Sequence, residues 1–183
     1  MPSNATKRWR PSRVGGVEDL ADQLTWRNAL TLAAIETLGL ALLFGAYAVV
    51  HARSSVLSAL LVPPTVSYVL IVANPVARGS RPLRVLAAYA IAGGVGLTCS
   101  ALPGPNLPAA VLSGFCTLIV MHRTGALHSP AIAVAFIAVL ADLSAARALI
   151  ALPLLLGLCV VVVVLAWATH RILGDATYPT RWW

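Results

Sequence analysis

"RTGALHSPAIAVAFIAVL", Arg123 to Leu140, sets one ionisable ring, His128, between an Arg-Thr-Gly turn and a run of small and branched apolar residues that opens on Pro130. Proline lacks an N–H and its ring clashes with the preceding turn, so it suits the first turn of a helix and disfavours its interior. The stretch therefore predicts a turn and then a helix starting near Pro130, and the apolar run to Ala141 is shorter than the roughly 20 residues an ordinary span needs. A second stretch, "VPPTVSYVLIVANP" from Val62 to Pro75, has the same shape: polar residues beside prolines, then about three turns of apolar helix. Pro63-Pro64 predicts a helix restarting near Pro64.

Around these two stretches the chain is lipid-soluble sequence. Of 183 residues 59% are hydrophobic and 10% charged, with a mean hydropathy of +0.85, which reads as an integral membrane protein of all-α class. Six apolar segments can be drawn: Ala29 to Val50, Val56 to Ala73, Leu83 to Leu102, Leu107 to Met121, Pro130 to Ala141 and Leu149 to Ala168. The fourth and fifth look too short for straight spans. The linkers "ANPVARGSRP" and "LPGPNLP" carry turn chemistry that no continuous helix tolerates. Residues 1–28 read as a basic, largely disordered cytoplasmic tail with no apolar core of a cleavable signal, residues 29–172 as the transmembrane domain, and residues 173–183 as a cytoplasmic tail. The "NAT" at Asn4 to Thr6 is discounted as a glycosylation site, because a tail without an export signal would not meet the enzyme.

The charges test the segment count. With a cytoplasmic amino terminus and six crossings, eleven Lys and Arg residues fall inside and only Arg53 and Arg147 outside. Such a bias is the positive-inside signature, and a four-crossing arrangement weakens it by moving Arg78, Arg81 and Arg84 across. The net charge of +7 is thus a topology signal in a plasma-membrane protein, and without an aromatic-interleaved basic face it does not point to nucleic acid. Each proline-headed segment is the second of three, so the two groups would form an inverted repeat of three plus three, a common transporter arrangement.

The two helix starts would then point towards the bilayer midplane from opposite sides. Free N–H groups and the positive end of the dipole make a helix amino terminus attractive to anions. Thr65 and Ser67 beside Pro63 and Pro64, and His128 and Ser129 beside Pro130, would supply hydrogen-bond donors to a small anion. The plainer alternative is that the prolines are packing features and the hydroxyls bond their own helix's carbonyls. Glu36, about two turns inside the first segment, is either a structural ion-pair partner or a proton-coupling group, a role His128 would share.

Other polar residues have plainer readings. His51 and His170 read as solvated span ends, Asp142 and Arg147 as an interfacial pair, and Trp26, Trp167, Trp182 and Trp183 as an interfacial belt. Gly93 to Gly96 and Gly114 read as close-packing positions, and Cys99, Cys116 and Cys159, odd in number and without ligand spacing, as packing residues. No zinc HExxH, phosphate loop, GxSxG turn or catalytic carboxylate pair occurs, so neither an enzyme nor a metal or cofactor site is expected.

"MHRTGALHSPAIAVAFIAVL", Met121 to Leu140, resembles the signature of the HPP integral membrane family, named for a His-Pro-Pro motif before a small-residue apolar helix. "PPTVSYVLIVANP", Pro63 to Pro75, is similar to that family's earlier Pro-Phe-Gly-Ala-Ser segment, and the resemblance runs from about Leu57 to Arg171. Ser129 stands where the motif has its first proline, the glycines expected near Thr65 and Ile132 are missing, and Ala88-Tyr89 replaces a third-span Gly-His. The resemblance implies transport of a small inorganic anion such as nitrite, with Tyr89 in the place of the family's histidine as a donor. The expected function is therefore a transporter or channel for a small anion in the lipid bilayer, in a dimer or trimer if it assembles. The alternative is a non-transporting scaffold or partner subunit.

Overall fold

A computed structural model describes residues 26–51, 58–102, 106–141, 145–173 and 178–183. Among the described residues the chain forms six α-helices: α1 (Trp26–His51), α2 (Val62–Ala73), α3 (Pro82–Ser100), α4 (Asn106–Thr124), α5 (Ser129–Leu140) and α6 (Ala145–Ile172), with a single 3₁₀ turn at Arg78–Ser80. The expected all-α membrane architecture is what forms. Four helices are long and apolar enough to cross a membrane, while α2 and α5 are 12 residues each. At 1.5 Å per residue a 12-residue helix covers about 18 Å, little more than half of a hydrocarbon core.

Proline sets three of the starts. Pro63 and Pro64 lie in the first turn of α2, Pro82 opens α3, and Pro130 is the second residue of α5. Glycine sets a stop. Gly125 has φ of 68°, the left-handed conformation, so Ala126 N–H donates to the Met121 carbonyl at 3.0 Å and Gly125 N–H to that of His122 at 3.4 Å. That pair of bonds is the Schellman ending of a helix. It also corrects the expected length of the fourth segment: α4 is 19 residues and passes Met121 to include His122 and Arg123, and the guanidinium of Arg123 suits a helix carboxyl end.

The core lies around α3, which packs on α5, α4 and α6, while α2 is held between α6 and α1 and touches α5. Close approach of α3 and α5 depends on Gly96, where a Cβ would lie 2.9 Å from the Ala138 methyl and 3.0 Å from the Ala135 backbone. Gly114 of α4 likewise leaves room for the Phe136 ring. Val85, Ala88, Ala92, Val134 and Ala135 fill the seam and are at most 1% exposed. Outward positions are equally apolar, with Leu38 64%, Phe115 61% and Ile150 62% exposed, which suits a surface facing lipid rather than water. This is a multi-pass membrane protein.

At the carboxyl end one expectation is corrected and the course of the last segment is seen. His170 is fully buried, not a solvated span end, because its ring packs on Tyr178 with centroids 4.8 Å apart. Residues 178–183 do not trail free: Tyr178 O–H donates to the Ser80 carbonyl at 3.1 Å, Leu83 N–H donates to the Trp182 carbonyl at 3.0 Å, and an Arg81 guanidinium N–H donates to a Trp183 main-chain oxygen at 2.7 Å. Burial pushes the Tyr178 phenol up, so it remains a neutral donor. Of the expected tail at residues 1–28, residues 26–28 are the first of α1 and the rest, with Arg53 and Asp142, lie outside the described residues.

Candidate functional site

Three buried polar side chains meet where α2, α3 and the entrance to α5 converge. Ser67 Oγ lies 2.6 Å from the Tyr89 hydroxyl and 2.7 Å from His128 Nε2. Ser67 and Tyr89 are fully buried and His128 is 5% exposed. The local sequence explains the meeting. Ser67 is on the second turn after the Pro63-Pro64 start, Tyr89 is on the second turn after Pro82, and His128 is the extended N-cap of α5, with φ of −145° and ψ of 104°. An extended N-cap throws its side chain across the bundle instead of along its own helix.

The bond directions follow from the ring's second partner. His128 Nδ1 faces the Gly79 backbone, 3.6 Å from the position a Cβ there would take. With Nδ1–H donating to the Gly79 carbonyl, Nε2 carries the lone pair and Ser67 O–H donates to it. Tyr89 O–H then donates to Ser67 Oγ. The Pro63 carbonyl, 3.2 Å from Ser67 Oγ, is a second acceptor for the Ser67 proton. When Nε2 carries a proton it can donate to Ser67 Oγ, which turns its own proton to Pro63. The cluster is therefore satisfied with the imidazole in either protonation state.

Among the residues expected at the site, Ser67, Tyr89 and His128 are brought together, flanked by buried Pro63 and Pro64. Thr65 is buried but donates at 3.0 Å to the Leu61 carbonyl of the preceding turn, and Ser129 is exposed, with Pro130 half-buried beside it. Glu36 lies on the other side of α2, within electrostatic range of Tyr68, whose hydroxyl is 2.9 Å from Thr169 Oγ1. The two short helices meet as neighbours rather than tip to tip. His128 reaches the second turn of α2, while Leu60, just before α2, lines a small cleft together with Val134 and Ala138 on the later turns of α5. Sequence reasoning missed the Gly79 carbonyl; "ARGS" between two prolines marks a turn but does not say what that turn covers.

This arrangement, two proline-headed short helices joined through a histidine N-cap, can be set beside known families. The family model described as HPP, transmembrane region, matches residues 22–179. The chain belongs to the HPP family. No curated protein and no solved structure matches it. In this HPP protein the match takes in all six helices and the Ser67–Tyr89–His128 cluster. Ser129, where the family's motif has its first proline, is the exposed first residue of α5, so the substitution changes the helix's outer face and leaves His128 in the cap position.

Proposed function

We propose that this HPP protein carries a small inorganic anion, of which nitrite is the leading candidate by family resemblance, across the plasma membrane, with both termini cytoplasmic. The observation that carries the reading is a cluster of three buried side chains, Ser67, Tyr89 and His128, inside an apolar bundle. Ionisable and hydroxyl groups at such depth are costly and commonly line substrate or proton pathways. All three can donate hydrogen bonds, so they can turn from one another to the oxygens of a small anion if α2 and α5 part. The cluster tolerates a proton on His128 without losing a bond, which suits uptake of a proton together with an anion. In the described conformation the three groups close on one another, which favours a carrier seen occluded over an open channel. Glu36 stands apart from the cluster and is a further candidate for proton coupling, and the three-plus-three order of helices suits an inverted repeat.

The test is nitrite flux in proteoliposomes under an imposed pH gradient. The wild type should exceed empty liposomes, and His128→Ala and Ser67→Ala should each bring flux to the background. Normal flux in both variants would remove the site assignment. The second reading, a non-transporting scaffold, is favoured by the same closure, since the hydroxyls are already bonded to protein groups. It predicts that the wild type carries none of the small anions tried.

A further inference from the structure

At the end of the bundle where the carboxyl-terminal segment returns, four arginines converge. Arg81 is the N-cap of α3, Arg84 lies in the first turn of that helix, Arg78 in the 3₁₀ turn and Arg181 in the returning segment. Arg81 is held below its ordinary range by desolvation and then by the charges of Arg84, Arg181 and Arg78. The Arg84 guanidinium stacks over the Trp183 ring at 5.5 Å, and one of its terminal nitrogens lies 4.0 Å from where a Gly125 side chain would begin. The Nε atoms of Arg81 and Arg84 are buried without a hydrogen-bond acceptor. Among the described residues the single acidic side chain is Glu36, on α1 and outside this group. Arg81 spends one N–H on the Trp183 main-chain oxygen, and among the described residues no acidic side chain stands beside the four guanidinium groups to balance the rest of their charge.

We propose that Arg78, Arg81, Arg84 and Arg181 form a binding site for the phosphate of an anionic phospholipid headgroup. The chemistry fits, because guanidinium forks match phosphate oxygens in pairs. The depth decides between a lipid and a free phosphate. Trp182 and Trp183, 63% and 48% exposed beside the arginines, and the start of a membrane-length helix at Pro82 put the cluster at headgroup level. An acyl chain below the headgroup meets an apolar outer surface, with Leu83 44% exposed next to the cluster. A bound headgroup ties the returning segment to the turn that carries Gly79, and so to the loop holding His128.

Native mass spectrometry of the full chain, in micelles holding equal phosphatidylglycerol and phosphatidylcholine, tests this. The first lipid retained by the wild type should be phosphatidylglycerol in clear excess. Arg81→Gln with Arg84→Gln should cut that preference by about fivefold or more, on the scale of one surface arginine's attraction to an anionic leaflet. Arg78→Gln with Arg181→Gln, at exposed positions that do not threaten folding, should weaken it less. Equal retention of both lipids by the wild type, or an unchanged preference in both double variants, would overturn the proposal. Millimolar inorganic phosphate should leave the retained lipid in place; its displacement of phosphatidylglycerol would make this a free-anion site instead.

Discussion

Ser67 is the residue on which the buried cluster turns, because its single hydroxyl touches Tyr89, His128 and the Pro63 carbonyl at once. Ser67→Ala therefore strands two partners, the Nε2 lone pair and the Tyr89 hydroxyl, in apolar surroundings. A buried polar group left without a partner costs about 1–3 kcal/mol. Tyr89→Phe removes one donor and leaves the Ser67–His128 bond whole, so it should cost about 1 kcal/mol. Thr65→Ala should cost less again, since its hydroxyl bonds only to a nearby main-chain carbonyl, an arrangement that adds little to a helix. Thermal unfolding in detergent gives the order Ser67→Ala, then Tyr89→Phe, then Thr65→Ala. Equal losses for the first two would show that Ser67 is not the shared centre. A double-mutant cycle between positions 67 and 128 should return a coupling of about 0.5–3 kcal/mol, as expected for groups in one network.

Helix against helix, the α3–α5 seam has two nearby glycines with opposite expectations. At Gly94 a Cβ meets nothing within 4 Å, whereas at Gly96 it meets Ala135 and Ala138 at 3.0 and 2.9 Å. Gly94→Ala should be neutral or raise stability by about 0.5–1 kcal/mol through backbone entropy. Gly96→Ala has the same local benefit but forces two helices apart, with an overpacking cost of about 1–3 kcal/mol. The melting temperature should fall for Gly96→Ala and hold or rise for Gly94→Ala; a stabilised Gly96→Ala protein would contradict the seam. The same elements show what the sequence made legible. Helix starts at Pro64 and Pro130 could be read because proline acts within one turn. The end of α4 could not, because the basic residues after Met121 looked like a loop while the actual stop was left to the conformation of Gly125. Ser67, Tyr89 and His128 were among the residues expected at the site, but so were Thr65 and Ser129, which lie outside the cluster, and its geometry was not legible. Which turn of α2 meets the N-cap of α5 depends on how far the two helices overlap, and the partner orienting His128 is the Gly79 backbone, not a side chain. His170 was misread because its burial comes from Tyr178, a residue that returns to the bundle after the last helix.

The whole molecule has a basic end and an apolar body, and the contacts say which loops share that end. The returning segment bonds Ser80, Arg81 and Leu83, and Arg84 reaches the Gly125 turn. The α2–α3 loop, the α4–α5 turn and the carboxyl terminus are thus on one side. If Tyr178 clamps the 3₁₀ turn, removing residues 178–183 should speed amide exchange at Gly79 and in the Ala126–His128 loop, while exchange within α4 stays slow. Uniform exchange in the two forms would mean the clamp holds nothing. The helix α6 decides what lies opposite. At 28 residues it is about 42 Å long, more than a bilayer's hydrocarbon thickness, so Arg147 near its start must emerge on the far side from Arg171 near its end. Arg123, Arg171 and Arg181 then share the basic end, which is the cytoplasmic one in the orientation proposed above from the positive-inside bias. Single cysteines test this in a background with Cys116 changed to Ser, because Cys99 and Cys159 are buried and Cys116 is half-buried. A membrane-impermeant maleimide applied to intact cells should label Arg147→Cys, and should reach Arg123→Cys and Thr180→Cys only after the membrane is opened. Labelling of all three from one side would leave α6 without a crossing and would remove the six-crossing path on which the buried cluster's access from both faces depends.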